Sequence, residues 1–176
     1  MCDTGYTVRD LIADLRDMKE RGAQESEMLK EAPDLVKRLV LMKHNWLRSH
    51  MYEPARAAGE GSSSYRIHEE PDHSLSLFVV TWPPTAETQP HDHGTWVVVA
   101  GLEGREIHHR WKRANGADEV ERSGEDRIEP GTIVTLPRDA IHSFENDSGA
   151  VSVTLQLYGT NTDYTEHRNY KPRRNT

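Results

Sequence analysis

The chain has 176 residues with 29 acidic and 22 basic side chains, a net charge of −7. That length suits one domain with a real core and leaves too little for two. The negative balance and scattered Arg and Lys argue against nucleic acid, and no run approaches the ~18 apolar residues of a membrane span, so small molecules are the expected partners. The single cysteine, Cys2, excludes an intramolecular disulfide and a thiolate cluster. With no basic region or apolar core of signal-peptide type at the N-terminus, the expected compartment is the cytoplasm.

In chain order, Val8, Leu11, Ile12, Leu15 and Met18 follow a helical stripe, Thr7 with Asp10 forms a capping box, and the helix is expected to stop near Gly22. A second helix is predicted with Pro33 in its first turn and Leu35, Leu39, Met42 and Trp46 on one face. Residues 1–52 thus read as a helical segment packed on an apolar surface. Residues 53–64 are rich in Ala, Gly and Ser and read as a linker. From Tyr65 the pattern changes to short β runs at 74–82, 95–102, 105–111, 131–136 and 151–158. Turn signals separate them, among them Pro83-Pro84, Asn115-Gly116, Pro130-Gly131 and Asp147-Ser148-Gly149. The expectation is a mainly β chain, a small antiparallel barrel or double-sheet jelly roll over 65–168, with a polar tail over 169–176. The acidic run 116–129 is expected to be a solvated loop or hairpin.

His91 and His93 are two apart, so in an extended chain both imidazoles point to one side, as a shared metal ion requires. Two ligands seldom suffice, and His142 is the expected third. His108 and His109 are adjacent and face opposite ways, so strand surface or core is their expected place. His44, His50, His68, His73 and His167 lack ligand spacing and read as polar surface.

The stretch from Gln89 through His91-Asp92-His93-Gly94-Thr95-Trp96 to Gly104 resembles the first motif of the cupin superfamily. Gly131, Pro137, His142 and Asn146 resemble its second. The resemblance implies a cupin double-stranded β-helix, a jelly-roll barrel carrying an N-terminal pair of helices. Many cupins place a glutamate as fourth ligand where this chain has Val98, so a three-histidine site is implied. With Tyr65-Arg66 and Trp82-Pro83-Pro84, the ligand run is similar to the thiol dioxygenases, the cysteine dioxygenase and mercaptopropionate dioxygenase type, over residues 65–158. That likeness implies Fe(II) as cofactor and a small thiol and O₂ as partners, giving a sulfinate. Three neutral imidazoles leave the metal more positive than a set containing a carboxylate, which favours an anionic thiolate.

The same family carries a Ser-His-Tyr row beside the iron. Here the row is Thr154, Gln156 and Tyr158, and glutamine cannot change charge near neutral pH as imidazole can. The resemblance implies catalytic roles for Tyr158, Gln156 and Thr154, a carboxylate clamp at Arg66 or Arg168, and Trp96 near the metal at the substrate site. It excludes the Cys–Tyr cross-link of animal enzymes, because Val98 stands at the matching position. Two other functions fit the same site: a cupin oxygenase acting on a non-thiol substrate, and a non-enzymatic metal- or ligand-binding cupin. A sheet edge or the helices offer a contact for a homodimer.

Overall fold

The computed structural model describes residues 5–52, 62–114 and 118–173; Cys2, the Asn115-Gly116 turn and most of the expected linker lie outside them. Helix α1 spans Val8–Glu20 and begins at the predicted box: the Thr7 hydroxyl accepts from the Asp10 amide at 3.3 Å and the Asp10 carboxylate accepts from the Thr7 amide at 2.9 Å. Gly22, at φ +82, turns the chain after it, in the left-handed region where glycine carries no Cβ penalty. Helix α2 spans Glu25–Leu41, so Pro33 lies inside it and not in its first turn. Its start is marked by the Gln24 amide donating to the Glu27 carboxylate at 3.0 Å. The fixed φ of proline suits a helix, and the position is tolerated at the loss of one backbone hydrogen bond. A single turn, α3, follows at Lys43–Trp46, and the Trp46 indole donates to the Leu39 carbonyl at 2.9 Å.

Among the described residues nine strands follow: β1 Ser63–Glu69, β2 Ser76–Trp82, β3 Val97–Glu103, β4 Glu106–Arg113, β5 Glu119–Ile128, β6 Ile133–Leu136, β7 Ile141–Glu145, β8 Ser152–Tyr158 and β9 Lys171–Pro172. They form two sheets, in the orders β1-β2-β8-β3-β6 and β7-β4-β5-β9. Every pairing is antiparallel except that of β5 with β9. This is the double-stranded β-helix with an N-terminal helical pair.

Side-chain alternation divides the first sheet into two faces. Val153, Leu155 and Leu157 of β8 and Val98, Ala100 and Leu102 of β3 join Leu11, Leu15, Val36 and Leu39 of the helices in one apolar cluster. The intervening positions face the barrel interior, where Val97, Val99, Leu136 and Tyr158 form a second cluster with Phe78 against it. Every residue of β8 is therefore buried. Among the described residues, no helix is long and apolar enough to cross a membrane.

Two expectations need correction, the linker boundary and the tail, and the acidic run resolves to one of its two forms. Ser63 and Ser64, placed in the linker, already belong to β1. The acidic run takes the hairpin form of its expectation, as a long strand paired antiparallel with β4 from Glu106↔Ile128 to Arg113↔Val120, with its charges on the open face. The start of the expected polar tail is docked: Tyr170 is 2 % exposed and packs with Val120 and Ile141, and Lys171–Pro172 pairs with Glu119–Val120.

Candidate metal centre

The ligand loop precedes β3 and is tied to β7 by a two-way bridge. The His91 amide donates to the His142 carbonyl at 2.8 Å, and the His142 amide to the His91 carbonyl at 2.9 Å. Gly94, at φ +63, closes the loop; a Cβ there would sit 2.3 Å from the Glu166 carbonyl oxygen, so only glycine fits.

Three imidazoles converge as a result. The potential ligand atoms of His91, His93 and His142 all lie within 4.8 Å of one another. The Nε2 atoms of His93 and His142 are 2.8 Å apart. A metal with imidazole bonds of about 2.0–2.1 Å sets neighbouring ligand atoms about 3 Å apart, so the spacing suits a shared ion. His91 Nδ1 lies 2.8 Å from the Gln89 carbonyl, to which it donates, leaving Nε2 for the ion. Burial holds all three rings below the usual histidine range: His93 falls to about 3, with the nearby His91, His167 and His108 adding to the effect, and His142 falls well below. The triad is thus neutral at physiological pH, the form whose lone pairs bind metal, and it can hold a metal ion.

Asp92 is turned away from the triad, as the alternation predicts: its carboxylate accepts from the Arg168 amide at 3.0 Å and from the Tyr170 hydroxyl at 2.5 Å. The inward place next to the triad on β3 falls at Val97, one residue before Val98. Val98 faces the helices, and Val97 is the residue turned into the barrel. Neither offers a carboxylate.

Thr154, Gln156 and Tyr158 line up on the interior face of β8. The Gln156 amide donates to Thr154 Oγ1 at 3.1 Å, and the Tyr158 hydroxyl donates to Gln156 Oε1. The Tyr158 ring lies 5.3 Å from the His93 ring. Burial pushes its phenol well above the usual range, with the nearby Glu106 carboxylate adding to the effect, so the hydroxyl keeps its proton.

Glu106 is the interior residue that sequence reasoning missed, and His108 takes the core place that was one of its two expectations, beside the triad. Glu106 is 1 % and His108 3 % exposed. His108 Nε2 lies 3.0 Å from one Glu106 oxygen, and the Ser152 hydroxyl donates to the other at 2.9 Å. The His108 ring is 5.6 Å from that of His142. The available signal was the phase of β4: Glu106 and His108 are two apart and share the face that His142 occupies on β7. His109 takes the opposite face, also buried, 3.1 Å from Glu145.

The expected substrate residues separate. Arg66 lines a cavity of about 400 Å³ together with Ser64, Phe78, Val80 and Tyr158, and its guanidinium pairs with Glu69. Arg168 engages Asp92 through its backbone and is exposed. Trp96 does not join the barrel interior: it belongs to the helix-facing cluster, and its ring covers Gly159, where a Cβ would sit 2.2 Å from its Nε1. It precedes β3 on the phase of Val98, which points it outward.

No sequence-family profile matches the chain, and no curated protein matches it in sequence. Among solved structures it is similar to a DMSP lyase from the study of RdDddP and RnDddQII, at 19 % identity over 62 % of this chain and 53 % of that one, TM-score 0.48. It is also similar to an oxalate oxidase in complex with glycolate, at 13 % identity over 63 % and 55 % of the chains, TM-score 0.48. A cupin superfamily protein from Desulfitobacterium hafniense is similar at 9 % identity over 56 % and 77 %, TM-score 0.45. The matched region spans about half the length of the lyase and oxidase chains.

Proposed function

We propose that the protein is an Fe(II)-dependent dioxygenase that converts a small thiol, of the cysteine or mercapto-acid type, to its sulfinate. The observation that carries this reading is the convergence of three neutral imidazoles beside an inward-facing valine, a ligand set without a carboxylate. Fe(II) held by His91, His93 and His142 would supply the redox chemistry and adjacent positions for thiolate and O₂. The reaction balances without a further reductant, since RSH and O₂ together contain the atoms of RSO₂H.

The remaining residues bind and orient. A cavity of about 400 Å³ suits a small substrate, and the Arg66 fork in its wall gives Nη1 to Glu69 and keeps its other donors for a carboxylate. Tyr158 stands between that cavity and the His93 ring, with its proton held on Oη. Gln156 accepts from Tyr158 and is itself anchored on Thr154, so the row fixes the direction of the phenol and carries no mobile proton.

Anaerobic loading with Fe(II), followed by O₂ uptake with cysteine, cysteamine, 3-mercaptopropionate and mercaptosuccinate, tests the proposal. One of the thiols should drive uptake with matching sulfinate by mass spectrometry; an iron-loaded protein that consumes no O₂ with any of them contradicts it. The commitment of the Tyr158 hydroxyl to an uncharged glutamine favours a second reading, an oxygenase acting on a non-thiol substrate, in which O₂ is consumed and no sulfinate forms.

A further inference from the structure

The residue between the two loop histidines is fastened to a distant part of the chain. Besides accepting from the Arg168 amide and the Tyr170 hydroxyl, Asp92 donates its own amide to the Arg168 carbonyl at 3.0 Å. The bonding continues on both sides. The Tyr170 amide donates to the Pro90 carbonyl at 2.8 Å, His91 forms a bridge with Asn169, and the Thr165 hydroxyl donates to the His93 carbonyl at 2.6 Å. The segment is fixed in turn from the second sheet: Arg113 donates to the Tyr170 hydroxyl at 2.9 Å, the Tyr170 ring packs with Val120 and Ile141, and β9 pairs with β5.

We infer that segment 165–172 is a strap forming the outer shell of the metal centre, with Asp92 and Tyr170 as positioning residues that set the His91 and His93 rings. The inference rests on the triad reading. β7 holds the ligand loop on one side through the His91–His142 bridge, and the strap holds it on the other. A loop clamped on one side only would leave the imidazoles free to swing by more than the roughly 0.5 Å that a functional constellation tolerates. The tie also runs in the other direction: an ion that fixes the loop fixes Asp92, and so protects the amides of Arg168 and Tyr170 that the loop accepts from. Because Arg113 donates to Tyr170 and Tyr170 donates to Asp92, the phenol connects β4 to the ligand loop.

Tyr170→Phe keeps the ring in its apolar seat and removes only the hydroxyl. The full-length protein, this variant and Met28→Ala, a truncation in the helix-facing core, are titrated anaerobically with Fe(II) against a competing chelator, and hydrogen exchange of the strap amides is followed with and without the ion. Tyr170→Phe is expected to bind the ion about 10–100-fold more weakly, Met28→Ala to bind as the wild type does despite a lower melting temperature, and the ion to slow exchange at Arg168 and Tyr170. Affinity of Tyr170→Phe within about twofold of wild type, or equal weakening by Met28→Ala, overturns the strap and leaves the triad standing. A wild-type protein that takes up no Fe(II) overturns the triad reading and the strap together.

Discussion

The two sheets of the barrel are made of the same element and treat their outer faces differently. The centre of the first sheet is covered on both sides, by the helices without and the barrel interior within, and its strand β8 is buried at every position. In the second sheet β5 alternates, with Val120 and Ile128 buried between exposed charges. A polar residue on β5 is therefore ordinary, whereas Ser152, Thr154 and Gln156 on β8 each need a buried partner, and each has one within the barrel. Polarity turned into the barrel marks the chemistry in either sheet, as His142 on β7 and Glu106 and His108 on β4 also show, whereas polarity on the open face of β5 marks solvent.

The sharpest way to test this division is to cut each sheet where the account says it matters. Leu155→Ala, on the helix-facing side of β8, should cost about 2–5 kcal/mol in denaturant unfolding while the metal affinity of the folded fraction is unchanged. A comparable loss of metal affinity would mean that the two faces of β8 are not independent.

Acidification is the next test, because the triad is buried neutral. The three histidines have folded pKa values below the unfolded value of 6.5, so the unfolded chain binds more protons as pH falls. Their contribution is complete above 6.5 and declines as pH falls toward the folded values, to about 3 for His93. The metal-free melting temperature should start to drop below pH 6.5, before Glu69 and Glu70, whose ordinary value is 4.5 and whose hydrogen bonds lower it further, take up protons. A flat profile between 6.5 and 4.5 would place the imidazoles in water. The smallest effect belongs to the open face of the second sheet: Lys112→Ala breaks the exposed pair with Glu121, 3.0 Å long, and should leave the midpoint unchanged within error.

What the sequence disclosed follows the range of the interactions involved. The α1 box is set within three residues, and the His91/His93 spacing and the Thr154-Gln156-Tyr158 alternation follow from period two, so all three were readable. The start of α2 was not, because Pro33 looks like a first-turn signal and Gln24 is a weak cap. β5 was legible only as a loop or a hairpin, because a strand with one wet face has the composition of a loop. The spacing of two puts Glu106 and His108 on one face of β4, but which face turns inward is set by the rest of the fold, and the Asp92–Tyr170 tie depends on where the chain returns. Val98 shows the limit most clearly: a slip of one residue moves a side chain from the barrel to the helix face.

His91, His93 and His142 together form a site for one ion. Anaerobic Fe(II) titration of the wild type and of His142→Ala, with circular dichroism to confirm folding, tests it directly. The wild-type chain should bind one ion tightly and the folded variant at least about a hundredfold more weakly; equal binding by both would place the metal elsewhere.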